Sequence, residues 1–257
     1  MSQELNCKRG AIMKRSVFIT FILFFVLSFA WMAWALPTLV KDTKHNLSTS
    51  GTGSYKSDSA SAGGTSEICV FCHTPHGGNT DAPLWNRTNV GFVTPYRSDV
   101  MSALSTTFEG ATDLGSGTKH AKTRICLSCH DGTIAMGNVV NLPQGLTGDI
   151  PILNTLSGKM PLAAAGYIGT NLSDDHPVAV KYYSSSPDLE LKNLISPLSP
   201  NGGPIYLYDS SAARQTAPGA DTYIECTSCH NAHNNGLGNF LRVPIQESYL
   251  CLQCHIK

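Results

Sequence analysis

One motif is written four times in this chain of 257 residues: C-x-x-C-H. It runs Cys69-Val70-Phe71-Cys72-His73, Cys126-Leu127-Ser128-Cys129-His130, Cys226-Thr227-Ser228-Cys229-His230 and Cys251-Leu252-Gln253-Cys254-His255. Two thiols at this spacing add across the two vinyl groups of a haem, and the adjacent His reaches its iron from one face. A lone C-x-x-C fits half of a zinc ribbon, a redox dithiol or a disulfide equally well. A His locked behind every pair has no use in those sites. The motif therefore predicts four covalent haem c groups. Cys69, Cys72, Cys126, Cys129, Cys226, Cys229, Cys251 and Cys254 would carry the thioethers. His73, His130, His230 and His255 would be the first iron ligands.

The N-terminus agrees with that chemistry. Lys14 and Arg15 precede an apolar run from Val17 to Ala30, and Ala33-Trp34-Ala35 reads as a cleavage site. Residues 1–35 are expected to be a secretory signal peptide, with Met13 an alternative start, rather than a membrane anchor. Cys7 lies within it, so every later cysteine belongs to a C-x-x-C-H motif. Removing the segment takes Lys8, Arg9, Lys14, Arg15 and Glu4 with it. The 222 residues left hold 14 basic and 17 acidic side chains, which is no nucleic-acid footprint.

Four haems in so short a chain leave little room for long helices or large sheets. Gly (23) and Pro (14) are frequent, and no long stretch repeats apolar residues at helical spacing. The expected fold is a multihaem cytochrome c: mostly irregular chain, with short helices at the motifs and a few short strands, wrapped around the haems. The best strand candidates are Val178–Tyr183 and Ile205–Tyr208. The motif histidines are spaced unevenly. Haems 1 and 2 fall in residues 36–140, a haem-wrapping insert in 141–222, and a paired module with haems 3 and 4 in 223–257, all within one domain, 36–257. Residues 48–66, rich in Ser, Gly and Thr, read as a flexible tract.

Each iron has two axial positions, so four irons ask for four more ligands. Five other histidines follow residue 35: His45, His76, His120, His176 and His233. His76 and His233 each stand three residues after a motif His. One short turn aims them at the iron of a neighbouring haem. His176 precedes Pro177, which favours extended backbone. His120, in a Gly/Thr/Lys-rich loop, has the weakest context and is taken as surplus. Met101, Met136 and Met160 are fallback ligands. Two imidazoles per iron imply low-spin haems of low potential.

The segments Glu67–Gly77, Cys126–Thr133 and Asp175–Val178 resemble secreted multihaem cytochromes of metal-reducing bacteria, and residues 226–255 look like a doubled C-x-x-C-H module. Four motifs, the early His45-Asn46-Leu47-Ser48 and the signal sequence are most similar to the extracellular tetrahaem cytochromes of the outer membrane cytochrome E type. That resemblance implies filaments with a continuous haem chain, bis-His ligation throughout, and one axial His donated by the next subunit. On its tract near the N-terminus, His45 is the candidate donor. Redox proteins and extracellular acceptors such as metal oxides would be the partners, outside the cell or at its surface.

An electron conduit needs six-coordinate, closely spaced haems and no substrate pocket. A haem reductase needs one open iron, and no motif replaces its His with Lys. A soluble periplasmic shuttle is the alternative to a polymer. The absorbance spectrum of the reduced protein is expected to be that of low-spin haem c, and a high-spin band would favour the reductase.

Overall fold

The computed structural model describes residues 39–88, 94, 120–182, 205–215, 218–219 and 221–256. The expected signal segment 1–35, Met101 and Tyr183 of the Val178–Tyr183 candidate lie outside that set. No helix among the described residues is long and apolar enough to cross a membrane.

Regular structure is sparse and gathers at the motifs. Helix α1 (Ala121–His130) carries the second motif, and α2 (Cys226–Cys229) is a single turn carrying the third. One-turn 3-10 helices at Cys69–Phe71 and Cys251–Gln253 carry the first and fourth. Helix α1 buries Ala121, Arg124, Leu127 and Ser128, which recur every three or four residues on one face. Arg124 on that face is neutralised by Asp81, at 2.6 Å from Nη2 to Oδ1 and 3.2 Å from Nε to Oδ2. Helix α2 starts in a capping box. Ser228 Oγ accepts the Glu225 amide at 2.9 Å, and the Glu225 carboxylate accepts the Ser228 amide.

Four two-residue strands form one antiparallel sheet in the order β1-β4-β2-β3: β1 (Val180–Lys181), β2 (Leu207–Tyr208), β3 (Arg214–Gln215) and β4 (Tyr223–Ile224). Val180 faces Ile224, Tyr208 faces Tyr223, and Leu207 faces Gln215. Both expected strands are therefore present in shortened form. Ala179 explains the first: its φ of 58° is left-handed, a conformation that ends extended backbone. β3 and β4 were not anticipated. Arg214-Gln215 has no apolar alternation to announce it.

Three apolar clusters replace a single core. The first joins Leu47, Val70 and Phe71 to Met136, Ile150, Ile152, Met160 and Ala164. The boundary expected between residues 140 and 141 thus runs through one packed unit. Met136 and Met160, the fallback ligands, are spent in it. The second cluster is Leu127, Leu172 and Ala179; the third is Tyr182, Ile205, Leu207 and Val243 beside Cys254.

The flexible tract expected at 48–66 is corrected by the structure. Thr49 N donates to Thr65 O (2.9 Å), Ser57 N to Leu47 O (2.7 Å) and Leu153 N to Lys56 O (2.8 Å), so the segment is sewn to itself and to the first cluster. Its small polar residues are binders rather than solvent-facing filler. Ser57 Oγ accepts the Thr65 amide, and Asn46 Oδ1 accepts both the amide and the hydroxyl of Ser48.

Asn86 and Arg87 fasten the first two motifs together. Asn86 N donates to Cys72 O at 2.9 Å, and its Nδ2 donates to Val70 O (2.7 Å) and Asn141 O (2.9 Å), while Oδ1 accepts the Asn141 amide (2.8 Å). Arg87 reaches across to Ser128, Ala135 and Met136. Truncating a side chain that satisfies buried backbone groups leaves them unpaired. Asn86→Ala is expected to destabilise the protein by roughly 3 kcal/mol, read as a lower denaturant midpoint with unchanged slope.

Candidate functional site

Every motif folds into the same tight turn. The His amide returns to the carbonyl of the first Cys: His73 to Cys69 (2.7 Å), His230 to Cys226 (3.1 Å) and His255 to Cys251 (2.9 Å). Among the described residues no disulfide joins any of the eight motif cysteines. Burial pushes the Cys72 thiol up to about 12 and the Cys229 thiol to about 11, and raises Cys126 and Cys129 as well. For Cys126 the largest cause is a hydrogen bond with Cys226. That contact brings the second and third attachment sites together, where α1 packs on α2. Sites that disfavour thiolate suit the uncharged thioether.

Three imidazoles lie opposite motif imidazoles. The ring centroids are 6.1 Å apart for His45 and His130, 6.1 Å for His73 and His233, and 6.4 Å for His176 and His255. A metal–imidazole bond of about 2 Å and a ring radius of about 1.1 Å place two axial ligands of one iron about 6 Å apart, centroid to centroid. The planes meet at 74°, 21° and 85° respectively.

The hydrogen bonds fix which nitrogen would face the iron. His73 Nδ1 lies 2.9 Å from Pro83 O, His130 Nδ1 2.5 Å from Gly166 O and His230 Nδ1 2.9 Å from Asn239 O. His45 Nδ1 lies 3.2 Å from Ala232 O, and His176 Nδ1 3.1 Å from Pro177 O. A carbonyl only accepts, so each Nδ1 carries the proton and donates it, and each Nε2 keeps its lone pair for a metal. Gly166 is required for the closest of these. A Cβ there would stand 3.1 Å from His130 Cε1. Phe240 stacks on His45 at 4.1 Å and holds the ring against turning.

The groups present fit a haem on further grounds. His120 Nε2, Thr227 Oγ1 and Gln253 Oε1 are buried side-chain atoms without a hydrogen-bond partner among the described residues. Thr227 and Gln253 are motif residues themselves. Metal-bound imidazole must be neutral, and burial pushes His45, His130, His176 and His233 below the ordinary value.

The predicted distal set is thus placed unevenly. His233 stands across from His73, although it follows the third motif, as one short turn requires. His176 stands across from His255. His45 lies across from His130 of its own chain, on a tract that is hydrogen-bonded down. His76 is exposed, and no second imidazole faces His230 at this spacing. His120, read from its loop as surplus, is only 4% exposed. Its Nδ1 lies 2.8 Å from Glu225 Oε1, and Thr123 donates to the other oxygen of that carboxylate. Sequence reasoning missed this because Glu225 lies far along the chain. The Arg87 guanidinium was missed for the same reason.

A protein-family model described as a doubled CXXCH motif matches residues 218–257. No curated protein matches the chain. The matched segment holds the third and fourth motifs. It supports a c-type multihaem cytochrome, with haem c bound covalently through the cysteines and iron as the carrier of electrons.

The buried imidazoles set a pH dependence. With folded-state values below 6.5, the native protein binds fewer protons than the unfolded chain once pH falls under 6.5. Stability is expected to be flat above that value and to fall as pH drops from 6.5 toward the lowered values. Thermal melts between pH 8 and 5, followed at the haem Soret band, check it.

Proposed function

We propose that this cytochrome is a subunit of an extracellular filament that conducts electrons through four closely spaced bis-His haems. The observation that carries the reading is a complementary mismatch. Among the described residues no imidazole faces His230 at the ligand spacing, and the ring of His76 is exposed and makes no hydrogen bond. His76 relates to His73 as His233 relates to His230. His233 crosses to the iron of the first motif, so His76 is the counterpart that would cross to the third. Within one chain it does not arrive there, and in a second copy it supplies the missing ligand. The role first given to His45 passes to His76.

In this reading the protein holds each iron between two neutral imidazoles, orients them through carbonyl-bound Nδ1 atoms, and brings the attachment sites close enough for electrons to hop between haem edges. Haem supplies the redox chemistry. The N-terminal sequence favours export, and outward delivery to redox proteins or metal oxides follows from the resemblance.

A second reading draws on the orphaned Nε2 of His120. If His120 closes the fourth iron internally, the protein is a self-contained periplasmic shuttle. Substitution separates the two. His76→Ala is expected to abolish filaments in negative-stain images and to leave monomers with four haems, one of them high-spin. High-spin haem from His120→Ala instead, with no filaments in the unaltered protein, would establish the shuttle. High-spin haem in the unaltered protein at high concentration would point to a reductase.

The ring planes give an independent check. Axial imidazoles near perpendicular give ferric haem a strongly anisotropic low-spin signal, and near-parallel ones a rhombic signal. Electron paramagnetic resonance of the oxidised protein is expected to show two haems of the first kind, from the 74° and 85° pairs, and at least one of the second, from the 21° pair.

A further inference from the structure

Arg87 is completely buried and, among the described residues, hydrogen-bonds to no carboxylate. Nε donates to Ser128 Oγ at 3.1 Å, Nη1 to Met136 O at 2.8 Å, and Nη2 to Ser128 O at 2.8 Å and Ala135 O at 2.9 Å. Every acceptor is neutral. The contrast with Arg124, equally buried but paired with Asp81, is direct. A guanidinium does not shed its proton at any accessible pH, so this charge persists. A buried, uncompensated charge is costly, and a fold that keeps one is under pressure from something nearby. Asp131 feels the charge of Arg87 at a distance, but its carboxylate is held by the Thr133 amide (2.7 Å) and hydroxyl (2.8 Å), and no hydrogen bond joins it to Arg87 among the described residues.

The position of the charge is what gives it a role. Two of the Arg87 hydrogen bonds end on Ser128, next to Cys129 of the second motif, and Arg87 directly follows Asn86, whose amide donates to Cys72 O at 2.9 Å and whose Nδ2 donates to Val70 O at 2.7 Å in the first. Ser128, which accepts two of its hydrogen bonds, is itself a motif residue. Reducing a haem converts ferric to ferrous iron and removes one unit of positive charge from the site. A fixed cation buried nearby, in a medium of low polarity, disfavours the ferric state by Coulomb repulsion.

We propose that Arg87 raises the reduction potentials of the two haems attached at Cys69/Cys72 and Cys126/Cys129, through an unpaired guanidinium buried between their attachment sites. The proposal rests on the haem reading above. It makes the N-terminal pair the preferred resting place of an electron within each subunit, and Arg87 a potential-setting residue rather than a ligand.

The test is a potentiometric titration of the full haem-loaded protein, with haem methyl resonances assigning each step. Arg87→Gln is expected to change the ferrous-to-ferric ratio of two haems at least tenfold toward ferric at fixed solution potential, a shift of about 59 mV for a one-electron couple. The other two haems should move far less. Arg87→Lys keeps the charge and should restore the pattern. Ser128→Asp leaves Arg87 in place but sets a carboxylate where Oγ now accepts from Nε, and should lower the same two potentials. It decides the matter if Arg87→Gln does not fold. Haem content by mass is measured first. Fewer than four haems in the unaltered protein would overturn the underlying reading. Four haems with all potentials unmoved in folded Arg87→Gln and Ser128→Asp proteins would overturn the role of Arg87 alone.

Discussion

With two short helices and four two-residue strands among the described residues, there are few repeating hydrogen bonds to define the shape. Three imidazole pairs, spaced as two axial ligands of one iron would be, bring distant parts of the chain together. His45 meets His130, His73 meets His233, and His176 meets His255. Each pair joins segments far apart in sequence, and each fixes the turn on which a motif stands. The apolar clusters among the described residues are small, and each includes or packs against a motif residue. Leu47, Val70 and Phe71 pack beside the first motif, and Val243 and Ile205 pack beside Cys254.

Local chemistry was legible in the sequence and distant chemistry was not. C-x-x-C-H needs one turn to work, and one turn is what five consecutive residues specify. The approach of His233 to the His73 of another motif follows the same local logic, since three residues cannot return an imidazole to the same iron. The tract at 48–66 misled because Ser, Thr and Gly serve linkers and tight hydrogen-bonded loops alike, and only the partners, Thr65 for Thr49 and Lys56 for Leu153, tell them apart. His45 was assigned outward on the strength of that tract and turned inward with it. His120 looked idle because its loop is polar. Its value comes from Glu225, which caps the third motif's helix and so couples two attachment sites through one carboxylate.

Electrostatics divides the buried charges into two kinds. Arg124 with Asp81 is a closed pair whose field largely cancels at a distance, and it serves to seat α1. Arg87 is open. Its field is not cancelled by its own partners, so it falls on whatever is polarisable or changes charge nearby. A residue type usually read as a surface feature becomes informative here only through full burial and neutral acceptors.

The crossing of His233 to His73 also sets a timetable. A chain threaded across a membrane from its N-terminus presents the first motif early, but the imidazole that faces it is made near the end. The second motif finds His45 already through. In the proposed pairing, haem 2 can be closed while the rest of the protein is still inside, and haem 1, though attached first, must wait half-ligated until almost the whole chain has emerged. If the chain is exported as proposed, attachment and coordination of the first haem would be separated by the passage of most of the protein.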